Sequence, residues 1–163
     1  MVRIGPILLL LLLSACSSSG NPGTPEESPS EPRDLVVEGI SSGAPGQGPQ
    51  RPRVVLTPSA EALSEELGAE IPDSGRGTYL VAYRGEQSTG GYSVNVTGAR
   101  IEGGRVTVRL SLEGPPSDAI VTQVLTYPYV VSVVKELEPG GKGFTFVDGD
   151  GERLDWPVRR VGG

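Results

Sequence analysis

Histidine is absent from this 163-residue sequence, and cysteine occurs once. The first absence removes the commonest general base and metal ligand. The second excludes any intrachain disulfide. Lysine is scarce as well: Lys135 and Lys142 are the only two, in a chain of formal charge −6. So acidic a chain offers no basic stripe for phosphates, which argues against nucleic acid as a partner. It argues equally against electrostatic adhesion to an anionic lipid surface.

These absences narrow the chemistry. Without His, nucleophilic catalysis needs a Ser–Lys pair or a carboxylate dyad. Ser132 lies three residues before Lys135, but strand alternation puts the two on opposite faces. The carboxylates show no pairing. The reading is a protein that is not an enzyme, with no cofactor and no metal. Asp148-Gly149-Asp150-Gly151-Glu152 spaces oxygen ligands as a calcium loop does, yet lacks the full 12-residue pattern. It reads as a hairpin turn.

What is present begins with the amino terminus. Arg3 precedes an unbroken apolar run, Ile7 to Leu13, too short to span a bilayer. Small residues and then Cys16 follow, so residues 1–15 read as a secretory signal. Leu13-Ser14-Ala15-Cys16 resembles the lipobox of bacterial lipoproteins. That resemblance implies cleavage before Cys16, its acylation (palmitate among the acyl groups) and a membrane anchor. The expected location is the cell envelope, outside the cytoplasm, at the outer membrane or the outer leaflet of the cytoplasmic membrane.

From Ser17 to Pro52 the composition is that of a tether, rich in Ser, Pro, Gly and Glu. Leu35-Val36-Val37 and Ile40 interrupt it and read as a first strand. The globular part is placed at residues 53–163. Val54-Val55-Leu56 is a short strand, and Thr57-Pro58 supplies an N-cap and a first helical residue. Leu63 and Leu67 share a helical face, and Gly68 ends the helix.

Period-two patterning dominates the remainder. Tyr79, Val81 and Tyr83 share one face of a strand, as do Tyr92, Val94 and Val96 of the next. Val106, Val108, Leu110 and Leu112 alternate with polar residues after the Gly103-Gly104 turn. Ile120–Thr126, Tyr129–Val134, Phe144–Phe146 and Val158–Val161 complete the strands. Tyr127-Pro128-Tyr129 breaks two of them apart and packs its rings on the core. The fold class is mainly β: an antiparallel β-sandwich or rolled sheet with one short α-helix, preceded by a tether.

Between Tyr79 and Val96 lies the stretch that organises the domain. Two strands flank a polar loop shaped by Gly85, Gly90 and Gly91, carried on a rigid base where recognition usually sits. Gln87, Ser88, Thr89, Gly90, Gly91 and Tyr92 are the candidate partner-binding residues. The expected mechanism is docking by a preformed loop whose polar tip satisfies backbone groups of a partner.

Three blocks carry a family resemblance: G-E-Q-S-T-G-G-Y-S-V-N-V (Gly85 to Val96), G-G-R-V-T-V-R-L (Gly103 to Leu110) and V-T-Q-V-L-T-Y-P-Y-V-V-S-V-V (Val121 to Val134). In this order they resemble the C-terminal domain of the PrcB family, over roughly Thr78 to Val134. The resemblance implies a non-catalytic lipoprotein subunit that associates with and stabilises a secreted or surface protease. Thr89-Gly90-Gly91-Tyr92 is also similar to one loop of chagasin-type inhibitors of cysteine peptidases, with Glu102-Gly103-Gly104 a faint echo of a second. A passive envelope lipoprotein is the third alternative.

Overall fold

The computed structural model describes residues 31–162; Cys16 and the expected signal segment lie outside them. The elements run β1 (Arg33–Leu35), β2 (Val37–Gly43), β3 (Arg53–Thr57), α1 (Ala60–Leu67), β4 (Gly77–Tyr83), β5 (Ser93–Glu102), β6 (Arg105–Glu113), β7 (Tyr129–Lys135), β8 (Gly143–Val147), β9 (Arg153–Leu154) and β10 (Val158–Arg160). They form two five-stranded sheets, ordered β1-β5-β6-β8-β9 and β10-β3-β4-β7-β2.

Alternation sends one face of each sheet into a shared core. Val94, Val106, Val108, Leu110 and Phe146 from the first sheet meet Val54, Leu56, Leu80, Ala82 and Val130 from the second. The second sheet has a further apolar face. Val55, Tyr79, Val81, Val131 and Val133 pack outward beneath Ala60 and Leu63 of the helix. β4 is consequently buried along its whole length, as the near-continuous apolar run of a doubly covered strand requires. The fold is mainly β with one short helix, as the sequence predicts, and it has three layers rather than two.

Four expectations change in detail. The sheets are mixed, since β10 runs parallel to β3 and β8 parallel to β6. The helix is capped by Ser59 rather than Thr57: Ser59 Oγ accepts from Ala62 N at 3.2 Å. Thr57 stays in β3, and Pro58 sits before the cap instead of in the first turn. Residues 33–43, read as tether with one brief strand, form the two strands β1 and β2. β1 pairs with β5 in one sheet and β2 with β7 in the other, joined by Val36 alone.

The fourth change is the largest. Ile120–Thr126 is a loop, with one isolated bridge from Thr126 to Gln87. Pro115, Pro116 and Pro128 bound it and cannot donate ladder bonds. β5, by contrast, runs on past Val96 to Glu102 through a bulge between Val96 and Gly98. The extra residue resets the alternation so that Ala99 and Ile101 face the core again. Gly103 and Gly104 close the β5–β6 hairpin at φ 52° and 76°, the pair of positive angles a tight two-residue turn needs.

The register defines two poles. Arg33 pairs beside Ile101, and Gly77 and Val37 pair with Lys135 and Val134, at the pole where the described chain begins. Gly43, Tyr83 and Tyr129 align, and Ser93 pairs with Glu113, at the opposite end. Loops 44–52, 84–92 and 114–128 all emerge at this second, loop pole.

Candidate protein-docking site

Loop 84–92 does not stand alone. Gln87 N–H donates to Thr126 O at 2.8 Å, and Thr126 N–H returns to Gln87 O at 3.0 Å. Gly90 N–H donates to Thr122 O at 3.0 Å, while Thr126 Oγ1 donates to Thr89 O at 2.9 Å. The loop is therefore zipped along loop 114–128. On its other side Glu86 N–H donates to Gln50 O, and Tyr127 N–H donates to Pro45 O, both at 3.0 Å. Residues 44–52, expected as linker, serve as a third member of the cluster.

Two glycines are required by geometry. Gly91 has φ 88°, and a Cβ there would stand 2.9 Å from the Pro115 ring. Gly85 has φ 86°, with Pro52 and Gln50 about as close. Gly90, the third glycine expected to shape the loop, has no positive φ. Its N–H bond to Thr122 is what fixes it.

Arg84 anchors the base. Its guanidinium donates to Ser93 O at 2.7 Å and also to Glu113 O. It lies 4.9 Å from the centre of the Tyr92 ring, a cation–π contact. Burial lowers the pKa of this guanidinium from its ordinary value. The only cation of loop 84–92 is thus spent holding the strand ends together. Tyr127 donates to Glu86 Oε2 at 2.6 Å. That bond, with burial adding to it, pushes the Tyr127 phenol up from its ordinary value.

All six candidate residues come together, and much of their backbone is bonded within the fold. The backbone groups of Gln87, Thr89 and Gly90 are consumed internally, and the Gln87 amide donates to Glu86 O. Ser88 and Gly91 remain exposed, and the rest are half-buried. The glycine loop is a brace. What it braces was missed by sequence reasoning: Ile120 is fully exposed, and Val124 and Leu125 are 47% and 48% exposed. These are three of the five large apolar side chains so exposed among the described residues. The apolar-rich run Ile120–Thr126 imitated a strand; the flanking prolines were the available signal against it.

Other sequence candidates resolve geometrically. Ser132 is buried, and Lys135 Nζ pairs with Glu38 at 2.8 Å, so no Ser–Lys pair is assembled. Asp148 Oδ1 accepts from Asp150 N and Glu152 N, which is the hairpin turn between β8 and β9. Tyr127 and Pro128 are buried, as a structural role requires. Arg100, Arg105 and Arg109 do share the outer face of the first sheet, a grouping hidden in the linear sequence. Asp34 stands opposite Arg100 and Glu102 opposite Arg105, so the face is mixed in charge. The hairpin Glu102-Gly103-Gly104 sits at the far end of β5 from loop 84–92. Ten residues of strand, about 33 Å, separate them. Two loops so placed cannot enter one peptidase cleft together, so the echo of a second inhibitor loop is not joined to the first.

The PrcB C-terminal family model matches residues 78–135. The PrcB match starts within β4 and ends within β7, so it contains both the glycine brace and the apolar loop. The resemblance carried by the three sequence blocks holds over that span. β1–β3, the helix and β8–β10 lie outside the PrcB match. No curated protein and no solved structure matches the chain.

Proposed function

We propose that the chain is a non-catalytic, lipid-anchored subunit that binds a secreted or surface protease through its loop pole. The observation that carries this reading is the exposed Ile120, Val124 and Leu125 loop, held rigid by residues 87–90 inside the PrcB match. A braced loop loses little conformational entropy on binding, so more of its apolar burial reaches the affinity. Exposed apolar clusters of this kind mark interaction surfaces. The family's name supplies the protease complex. The described residues begin at the other pole, so an anchor at Cys16 would join the domain from the side opposite the loop pole.

The function is tested by comparing the full chain with Ile120→Asp/Leu125→Asp in envelope extract. The unaltered chain should recover a protease, identified by mass spectrometry, and lengthen its active half-life. The double variant should fold normally and do neither. Recovery unaffected by the double variant would overturn the assignment of the surface. Anchoring is tested separately by alkynyl fatty-acid labelling, expected on the chain and lost in Cys16→Ala; an unlabelled chain in the cytoplasm contradicts it.

A further inference from the structure

The helix is too short to cover the outer face of the second sheet. Its eight residues span about 12 Å. Beyond its C-terminal end the half-buried Tyr129 ring forms a floor; its neighbour Tyr83, 6.3 Å away centre to centre, is buried, with the Arg53 guanidinium 5.2 Å from its ring centre. Leu67 and Ile71 stand on one side of a groove of about 500 Å³, and Pro45 and Pro49 on the other. Gly43 lets the Tyr129 ring lie against the backbone of β2: a Cβ there would meet the ring at 3.1 Å.

Two polar groups at this groove have nothing to do within the fold. The Tyr129 hydroxyl has no hydrogen-bond partner among the described residues, unlike those of Tyr79 and Tyr127. Glu66 is answered by Arg53 and Arg159, whereas Glu70, exposed at the rim, has no ion-pair partner among the described residues. The chain already uses this surface chemistry internally. Its own proline-rich 44–52 loop lies on Tyr127, so near that a Cβ at Gly48 would stand 2.5 Å from Tyr127 Cβ.

We propose that this groove binds an extended, proline-rich segment of a partner protein, with a Lys or Arg of that segment set against Glu70. Pyrrolidine rings pack on tyrosine faces, and a polyproline II backbone has no internal hydrogen bonds, so its carbonyls are free to accept from the Tyr129 hydroxyl. Such a segment is already extended in solution and loses little entropy on docking. The chain's own residues 17–30 are proline-rich too, but Glu26 and Glu27 would meet Glu70 with like charge. The proposal does not rest on the protease assignment: Ile120, Val124 and Leu125 do not line this groove, so the variants that test the two are different.

The test is fluorescence anisotropy of two labelled synthetic decamers, one alternating proline and leucine with a terminal arginine, the other glycine and serine with the same arginine. The full chain should bind the first saturably and the second not at all. Tyr129→Phe, which removes only an unpartnered hydroxyl, and Glu70→Lys should each weaken binding several-fold while leaving the melting curve in place. Equal binding of both peptides, no saturable binding, or indifference to both substitutions would overturn the proposal. Tighter binding after deletion of residues 17–30 would also overturn it, by making the chain's own segment the occupant.

Discussion

The two poles of this sandwich are held by different chemistry. At the amino-terminal pole carboxylates are met by side chains: Glu38 by Lys135 and Glu138 by Arg76 in ion pairs, and Asp73 by the Tyr79 hydroxyl, which donates to it at 2.9 Å. At the loop pole, loops are laced to one another through backbone groups, and three of the five exposed large apolar side chains among the described residues, Ile120, Val124 and Leu125, lie there. Exposed ion pairs between long side chains are weak and screened by salt. Backbone bonds between loops are directional and fix shape. A pole built for solubility and a pole built to present a surface are what that difference describes.

Substitutions should separate the poles in a definite order. Leu80→Ala removes a fully buried side chain from the core beneath both, at a cost of about 2–5 kcal/mol. Chemical denaturation should show one cooperative transition at lower midpoint, with both poles lost together. Gly48→Val comes next, because the new side chain must displace Tyr127. The 44–52 loop should lose amide-exchange protection together with Glu86 and Tyr127, while Lys135 and Glu38 keep theirs.

Thr126→Val is gentler. It deletes the hydroxyl bond to Thr89 O, worth about 1 kcal/mol, and should quicken amide exchange at Gln87 and Gly90 without moving the core. Acid should act on the other pole. Asp73 is held below its ordinary value by the Gly75 N–H and then by Tyr79; Glu38 is held low by Lys135 and then Ser74. Both carboxylates bind protons less readily folded than unfolded. Their contribution is present above about pH 4.5 and is lost as pH falls through the folded values. Nuclear magnetic resonance at falling pH should therefore show the amino-terminal pole loosening first. Arg76→Ala, on an exposed pair, should shift stability by less than about 0.5 kcal/mol; a larger loss would erase the distinction between the poles.

How much of this was legible beforehand depends on what each feature rests on. Period-two runs such as Val106–Leu112 announce their strands because one buried face dictates the pattern. The bulge in β5 is written in the phase change from Val94 and Val96 to Ala99 and Ile101. The glycines of loop 84–92 announce a shaped turn, since Gly85 and Gly91 need positive φ. The partner of that loop was not readable. Its backbone bonds to residues 122–126 depend on tertiary placement, and backbone groups carry no sequence signature. Ile120, Val124 and Leu125 were misread for a related reason: a short run rich in apolar and β-branched residues looks the same whether or not it finds a neighbouring strand. Residues 44–52 looked like linker because glycine and proline signal turns whether or not the turn is docked.

Photo-crosslinking from two positions in the intact cell envelope tests the central claim most directly, one at Ile120 on the loop pole and one at Glu102 on the far hairpin. A crosslink to a protease from position 120, with none from position 102, is the expected result. A protease captured from position 102 and not from 120 would contradict it.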